Sequence, residues 1–247
     1  MARKRERYRG TMIRNLDKTA NLVLCDKVED AIQMQKAQIL KNTIYFFVKR
    51  VFDLIGSIIG VLFLIPITIL VKIAFMLTGD FHTIFYNHER IGKNGRLFKL
   101  YKFRSMIPNA DEELKRILKE DKKLAKEYKL NKKMDNDPRV TKVGKFIRRF
   151  SIDELPQLIN ILFGQMSFIG NRPYLPREKE DMGKYYDDIV KTKPGLTGFW
   201  QVSLRSRGTF EQRLKMEQFY SNNFGLRFDA SIFFKTFGVV LGTKGAK

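Results

Sequence analysis

The chain has 247 residues, with 47 Lys and Arg against 26 Asp and Glu for a formal net charge of +21, and 44% of its residues are hydrophobic. It is long enough to bury a core, and basic enough to attract phosphate on a nucleotide, a nucleic acid or an anionic lipid. One cysteine, Cys25, excludes an internal disulfide framework and a Cys-rich zinc site, and two histidines, His82 and His88, argue against a His-based metal centre.

Residues 1–44 form a basic leader that opens with Arg3, Lys4, Arg5, Arg7 and Arg9. Val28, Ala31, Ile32, Gln35 and Ile39 fall near helical spacing, which predicts a surface helix or a disordered arm drawn to anionic lipid. Residues 54–71 carry no charge, and the apolar run resumes after Lys72. At about 1.5 Å per residue such a helix matches the hydrocarbon thickness of a bilayer. A secretory signal fits poorly, because the run lies far from the N-terminus behind charged sequence. Lys41, Lys49 and Arg50 precede it, and Arg90, Lys93, Arg96, Lys99, Lys102 and Arg104 follow, so both flanks favour the cytoplasmic side. Pro66 offers a bend. The expectation is a re-entrant helix hairpin over residues 45–78 with both ends cytoplasmic, rather than a kinked single span. Ser57 or Thr68 would then partner the carbonyls that the bend frees.

Residues 79–247 are expected to form one domain of α/β character facing the cytoplasm. Alternation over residues 85–104 predicts a β-hairpin turning at Lys93-Asn94-Gly95. Asn109 or Asp111 is placed to cap a helix running to about residue 130, with Leu114, Ile117, Leu118, Leu124, Ala125 and Tyr128 on one face. A short basic segment follows to Arg149, then a helix over residues 155–163, a Gly- and Pro-rich loop over 164–176, and helices over about 176–190 and 209–222. In the last segment Phe233, Phe234, Phe237 and Val240 are suited either to a bilayer interface or to an ordinary core.

The densest polar cluster is GKFIRRFSIDELPQ, residues 144–157. Ser151 to Glu154 has the form of a capping box, and on composition alone that structural reading is preferred. Pro156 is awkward inside such a helix and moves its start to Asp153 or beyond. The functional reading has Asp153, beside Arg148 and a helix N-terminus, ionised and able to attack phosphorus or bind a divalent cation. Arg172, between Asn171 and Pro173, is suited to clamp a phosphate or simply to occupy a surface turn. KPGLTGFWQ, residues 193–201, reads as a tight turn before the only tryptophan, with Arg205 and Arg207 behind it. Lys99, Lys102 and Arg104 are either a solvated strand face or a landing place for anionic headgroups.

Taken together, KRVFD (49–53), ERIGKNGRLFKLYKFRSM (89–106), DPRVTKVGKFIRRFSIDELPQLIN (137–160), GQMSFIGNRP (164–173) and KPGLTGFWQV (193–202) resemble the monotopic phosphoglycosyl transferases, the bacterial sugar transferases that begin polysaccharide assembly on a polyprenyl carrier. The resemblance covers roughly residues 45–242 in unbroken order. It implies a membrane-anchored monotopic enzyme of the cell (inner) membrane with a re-entrant helix, a short β-hairpin and interfacial amphipathic helices. Such an enzyme moves a hexose 1-phosphate from a UDP-sugar to polyprenyl (undecaprenyl) phosphate, releases UMP and uses Mg2+. Carried over, Asp153 matches the nucleophile and metal-binding acid, with Glu154 as its dyad partner. Lys102, Arg104, Arg148 and Arg172 match phosphate-binding residues, and Arg149, Gln201 and Arg205 are candidates for donor binding. Lys49, Arg50, Asp53 and Pro66 match the membrane hairpin. Departures at Asn171, Gln165 and Leu204 are expected to touch loop shape or donor choice. The implied partners are the UDP-sugar, polyprenyl phosphate and membrane lipid, with no nucleic acid; a homodimer or a complex with downstream glycosyltransferases is left open. The rival reading is a non-catalytic, basic, membrane-tethered protein binding anionic lipid or nucleic acid.

Overall fold

The computed structural model describes residues 2–131, 134, 137–204 and 208–241. By its contacts the chain divides into two units, Met1–Val48 and Lys49–Lys247, each taken by itself. The basic leader is helical, as the start of α1 (Ala2–Leu77), and exposes Met34, Ile39, Leu40, Ile44 and Phe47; the side chains of Val28, Ala31 and Ile32 lie outside the described ones.

In the second unit α1 is continuous through Pro66, the residue expected to bend it. The hydroxyls expected to serve the bend go elsewhere: Ser57 donates to the Leu54 carbonyl (3.0 Å) and Thr68 to the Leu64 carbonyl (2.7 Å), back-bonds of the kind that curve helices. The segment Gln33–Leu77 is long and apolar enough to cross a membrane. One stripe packs on the domain along its length: Gly56 fits against the Phe168 ring, Gly60 against Leu158, and Leu64, Val71 and Phe75 join Ile84, Phe103 and Ile147 in a core cluster. The opposite stripe, including Ile55, Ile59, Leu62, Phe63, Ile69 and Leu70, is exposed.

Polar residues pin the first turns of that segment. Lys49 pairs with Asp229 (2.5 Å), which also accepts from the Tyr220 hydroxyl (2.8 Å). Arg50 donates to the Ile161 and Leu162 carbonyls (2.7 and 2.8 Å), capping helix α5 (Gln157–Leu162) where its unpaired carbonyls favour a cation. Asp53, 4% exposed, accepts from the Ser167 hydroxyl and the Phe168 amide (3.0 and 2.9 Å). The motif at 49–53 thus joins the apolar helix to three parts of the domain.

Strands β1 (Phe85–Ile91) and β2 (Leu97–Phe103) form the expected antiparallel hairpin, with Tyr86 opposite Lys102, His88 opposite Leu100 and Arg90 opposite Phe98. Asn94 and Gly95 both take positive φ in the turn (57° and 76°). The helix expected up to residue 130 is two helices, α2 (Ala110–Glu120) and α3 (Lys122–Asn131). Asp121 breaks the run and accepts from the Leu124 amide (3.0 Å), starting the second helix. Asn109 precedes α2 at φ 58° with no side-chain cap. The predicted apolar face survives the break, since Leu114, Ile117, Leu118, Leu124 and Tyr128 pack with Met134.

The segment read only as basic is a helix, α4 (Lys142–Arg149), capped by Thr141, whose hydroxyl accepts from the Gly144 amide (2.9 Å). Its apolar residues Val143 and Ile147, one turn apart, pack into the cluster around Leu64 and Phe75. Beyond α5 the loop contains β3 (Ser167–Ile169), paired in parallel with β4 (Gly195–Thr197). A Cβ on Gly195 would lie 2.1 Å from the Gly170 nitrogen, and one on Gly198 would lie 2.1 Å from the Gly170 carbonyl oxygen. The glycines of residues 193–201 are therefore there to let two backbones touch.

The helix expected over 176–190 is broken into α6 (Lys179–Met182) and α7 (Tyr186–Ile189), with Gly183 at φ 48° between them. Helix α8 (Phe199–Ser203) follows β4, and α9 (Phe210–Asn223) opens on a Thr209/Gln212 capping box. In α10 (Leu226–Leu241) Phe233, Phe234 and Phe237 are exposed, which removes them from the core; the Val240 side chain lies outside the described ones.

Candidate active site

Ser151 removes the capping-box reading of the acid pair. It sits at φ 56° and its side chain caps nothing, so the capping box is not formed. The left-handed turn ends α4 and starts a single 3₁₀ turn, Ile152–Glu154. Ile152 and Leu155 pack into the core next to α1, which leaves Asp153 and Glu154 facing the hairpin. Lys102 reaches them from β2, with Nζ 2.7 Å from Glu154 Oε1 and 3.9 Å from Asp153 Oδ2. Arg148 is fixed by a bond from Nε to the Ser105 hydroxyl (2.9 Å), and its charge also acts on Asp153.

Burial pushes the Asp153 carboxyl up to about 6; Lys102 and Arg148 pull it down and Glu154 pushes it further up. Burial also raises Glu154, but Lys102, Arg172 and Arg90 outweigh it and hold that carboxyl below its usual range. Neighbouring acids with such different surroundings divide their roles. Glu154 stays ionised and paired, while Asp153 becomes a desolvated carboxylate at neutral pH, a better nucleophile than a solvated one.

Two residues on this face were not among the site residues expected from the sequence. His88 and Arg90 lie on the same side of the hairpin as Lys102. Arg90 Nε donates to His88 Nε2 (2.5 Å), and its Nη1 donates to the Pro173 carbonyl (2.9 Å), the residue after Arg172. Burial, followed by Arg90, Lys102 and Arg172, depresses the His88 imidazole to about 3, so it is neutral and acts as an acceptor. The turn at 93–95 already fixes the register that places 88 and 90 beside 102, and that was the signal in the sequence.

Asn171 makes the Arg172 loop rigid. It is 3% exposed and donates to the Ile189 carbonyl (3.1 Å) and the Ser221 hydroxyl (2.6 Å). Gln165 accepts from Asn160 (2.7 Å), whose amide group also bridges Lys99 and Tyr101 of β2, so this departure serves structure.

Other candidates lie elsewhere. Arg104 is committed to the Thr83 and Met106 carbonyls and to Asp80 (2.7, 2.9 and 2.8 Å) and stacks over Phe75; it ties the end of α1 to β2 rather than reaching the acids. Arg149, the last residue of α4, is exposed and lies over the Phe150 ring, and Gln201 is next to Gly198. Arg205 lies outside the described residues.

No group of three metal-ligating side chains occurs among the described residues. Two carboxylates still suit Mg2+, which keeps several waters and takes the rest of its ligands from substrate phosphates. Asp153, with Glu154 beside it, fits that use. Removing Lys102 tests this electrostatic balance: Lys102→Met is expected to lower the turnover supported by the site about 100-fold and to move the acidic limb of its pH profile upward from about 6, because the strongest downward influence on Asp153 is gone. A pH-rate profile of the variant reads both effects.

An acid pair bridged by one lysine, with two arginines near, carries the charges that handling a phosphoryl group requires. The bacterial sugar transferase family model matches residues 44–243, and the chain belongs to that family. It is 44% identical over 200 residues to the UDP-galactose-lipid carrier transferase of Erwinia amylovora and 42% identical over 203 residues to the undecaprenyl-phosphate galactose phosphotransferase of Salmonella typhimurium. In both cases 81% of this chain is covered, and the chain spans 42% of the relative's length. It is also 38% identical to the exopolysaccharide production protein ExoY of Sinorhizobium fredii, covering 80% of this chain and 87% of that one.

Proposed function

We propose that this chain transfers a hexose 1-phosphate from a UDP-sugar to polyprenyl phosphate and so starts a polysaccharide or glycoconjugate chain. The observation that carries the reading is the buried Asp153 beside Glu154 and Lys102, in a chain whose family relatives are named for this chemistry. An Asp153 carboxylate oxygen attacks the sugar-bearing phosphorus. The bond to the bridging oxygen breaks, and UMP leaves with its electron pair. The polyprenyl phosphate oxygen then attacks the same phosphorus, and the bond to Asp153 breaks, restoring the carboxylate. Lys102, Arg148 and Arg172 neutralise charge on the nonbridging oxygens, and Glu154 holds Lys102 in place. Mg2+, held by Asp153 and the phosphates, would supply further charge neutralisation.

One site serving a soluble donor and a lipid acceptor in turn belongs at the headgroup plane. Both ends of the apolar helix are tied to the same domain, at Lys49, Arg50 and Asp53 and again through Asp80 to Arg104. That supports a monotopic anchor over residues 45–78 that re-enters on the cytoplasmic face. Exposed Phe146, Phe150, Phe163, Phe233 and Phe234 support interfacial faces on the domain. The test is UMP release from a panel of UDP-sugars by membranes carrying the full chain, with and without polyprenyl phosphate. Release from at least one donor is expected, and none from any donor would refute the reading.

A further inference from the structure

Arg172 faces a second acid besides Glu154. Glu217, on α9, is 1% exposed, and neither of its carboxyl oxygens has a hydrogen-bond partner among the described residues. Arg213 acts on it from one turn earlier on α9, and from the loop after β3 come the Arg172 guanidinium, the Arg172 main-chain amide and the Tyr174 hydroxyl. Arg213 is held between aromatic rings, its guanidinium 5.2 Å from the Trp200 centroid and 5.6 Å from that of Phe210. Tyr174 meets Phe210 edge-on at 6.0 Å. The Nε atoms of Arg172 and Arg213 and the Tyr174 hydroxyl are also buried and unpartnered among the described residues.

Buried polar groups ordinarily close their hydrogen bonds, and leaving several open in one place is costly. Here the Nε atoms of two arginines, a phenol and a carboxyl lie buried within electrostatic reach of one another, short of well-formed hydrogen bonds. Stacking fixes Arg213, which leaves Arg172 as the side chain poised between two acids, Glu154 and Glu217.

We propose that Glu217 is a positioning residue for the transfer reaction: its carboxylate, balanced by the stacked Arg213, sets how the Arg172 guanidinium meets the donor diphosphate. This rests on reading the site as one for a diphosphate sugar. Burial pushes Glu217 up to about 7, against Arg213, Arg172 and Tyr174, so both protonation forms exist near neutral pH and differ in their pull on Arg172.

The experiment compares wild-type chain and Glu217→Gln in membranes, by UMP release, between about pH 6 and about pH 8.5. At the acid end the carboxyl is mostly protonated and the amide mimics it, so the two should agree within about twofold; at the alkaline end the variant's donor KM should be about fivefold higher with kcat little changed. A purely structural acid would change both constants at every pH. A ratio flat with pH, with UMP release intact, overturns the proposal, whereas absence of UMP release in the wild type overturns the reading beneath it as well. If Glu217→Gln does not fold, Arg213→Gln reports instead: loss of the cation that most lowers Glu217 should move the KM transition upward by about one pH unit, and an unmoved transition overturns the proposal.

Discussion

Asp153→Asn should lose about ten-thousandfold or more in turnover, because an amide cannot form the bond to phosphorus, and yet should be the more stable protein. In the folded chain the Asp153 carboxyl is raised from 3.8 to about 6. The folded state therefore binds the proton more tightly than the unfolded chain. This stabilises fully below the unfolded value and is lost as pH rises through the folded one. At about pH 8 the ionised carboxylate should cost roughly 1–3 kcal/mol. Thermal unfolding of the chelator-treated protein should place the Asn variant several degrees above wild type at that pH, with the gap narrowing as pH falls through about 6 and closed by about pH 4. A gap that widens toward acid would reverse the sign of the argument.

Gly144→Ala should be the most damaging small substitution. Its Cβ would lie 1.9 Å from the Ser105 carbonyl oxygen and 2.7 Å from the carbonyl carbon, both main-chain atoms, so no side chain can yield to make room. Helix α4 must then back away from Ser105, straining the bonds that Ser105 accepts from the Thr141 amide (3.1 Å) and from Arg148 (2.9 Å). Overpacking of this kind costs about 3 kcal/mol. Because α4 leads directly into the 3₁₀ turn of the dyad, a displacement of about 1 Å there should also lower activity about 100-fold in the molecules that remain folded. Thermal unfolding and UMP release on the same preparation separate the two effects. Wild-type behaviour in both would mean that α4 does not position Asp153.

What could be read in the sequence follows from the range of the forces involved. The β-hairpin was legible because Asn94-Gly95 fixes the turn and the turn fixes the register. The apolar helix was legible because it has no charge to interrupt it. The acid pair was visible and the family resemblance gave it a role, but its local sequence argued the other way: Ser151 to Glu154 spells a capping box, and only the left-handed Ser151 shows that the box is not made. Lys102 and Arg104, two residues apart, share a strand face, and nothing local says that Arg104 turns to Asp80 while Lys102 turns to Glu154. Asp121 looked like one more surface acid in an amphipathic run, yet it ends one helix and starts another. Glu217 could not be found at all, since Arg172 and Tyr174 reach it from some forty residues earlier in the chain.

The central claim is that Asp153 becomes covalently linked to the sugar phosphate. Its most direct test incubates the full chain with a UDP-sugar labelled in the phosphate next to the sugar, without polyprenyl phosphate, followed by rapid denaturation and peptide mass analysis. Label is expected on the peptide containing Asp153, with one equivalent of UMP at most per labelled chain, loss of the label on adding polyprenyl phosphate, and none in Asp153→Asn. UMP that appears only after the lipid is added, with no label on the protein at any time, would contradict the claim.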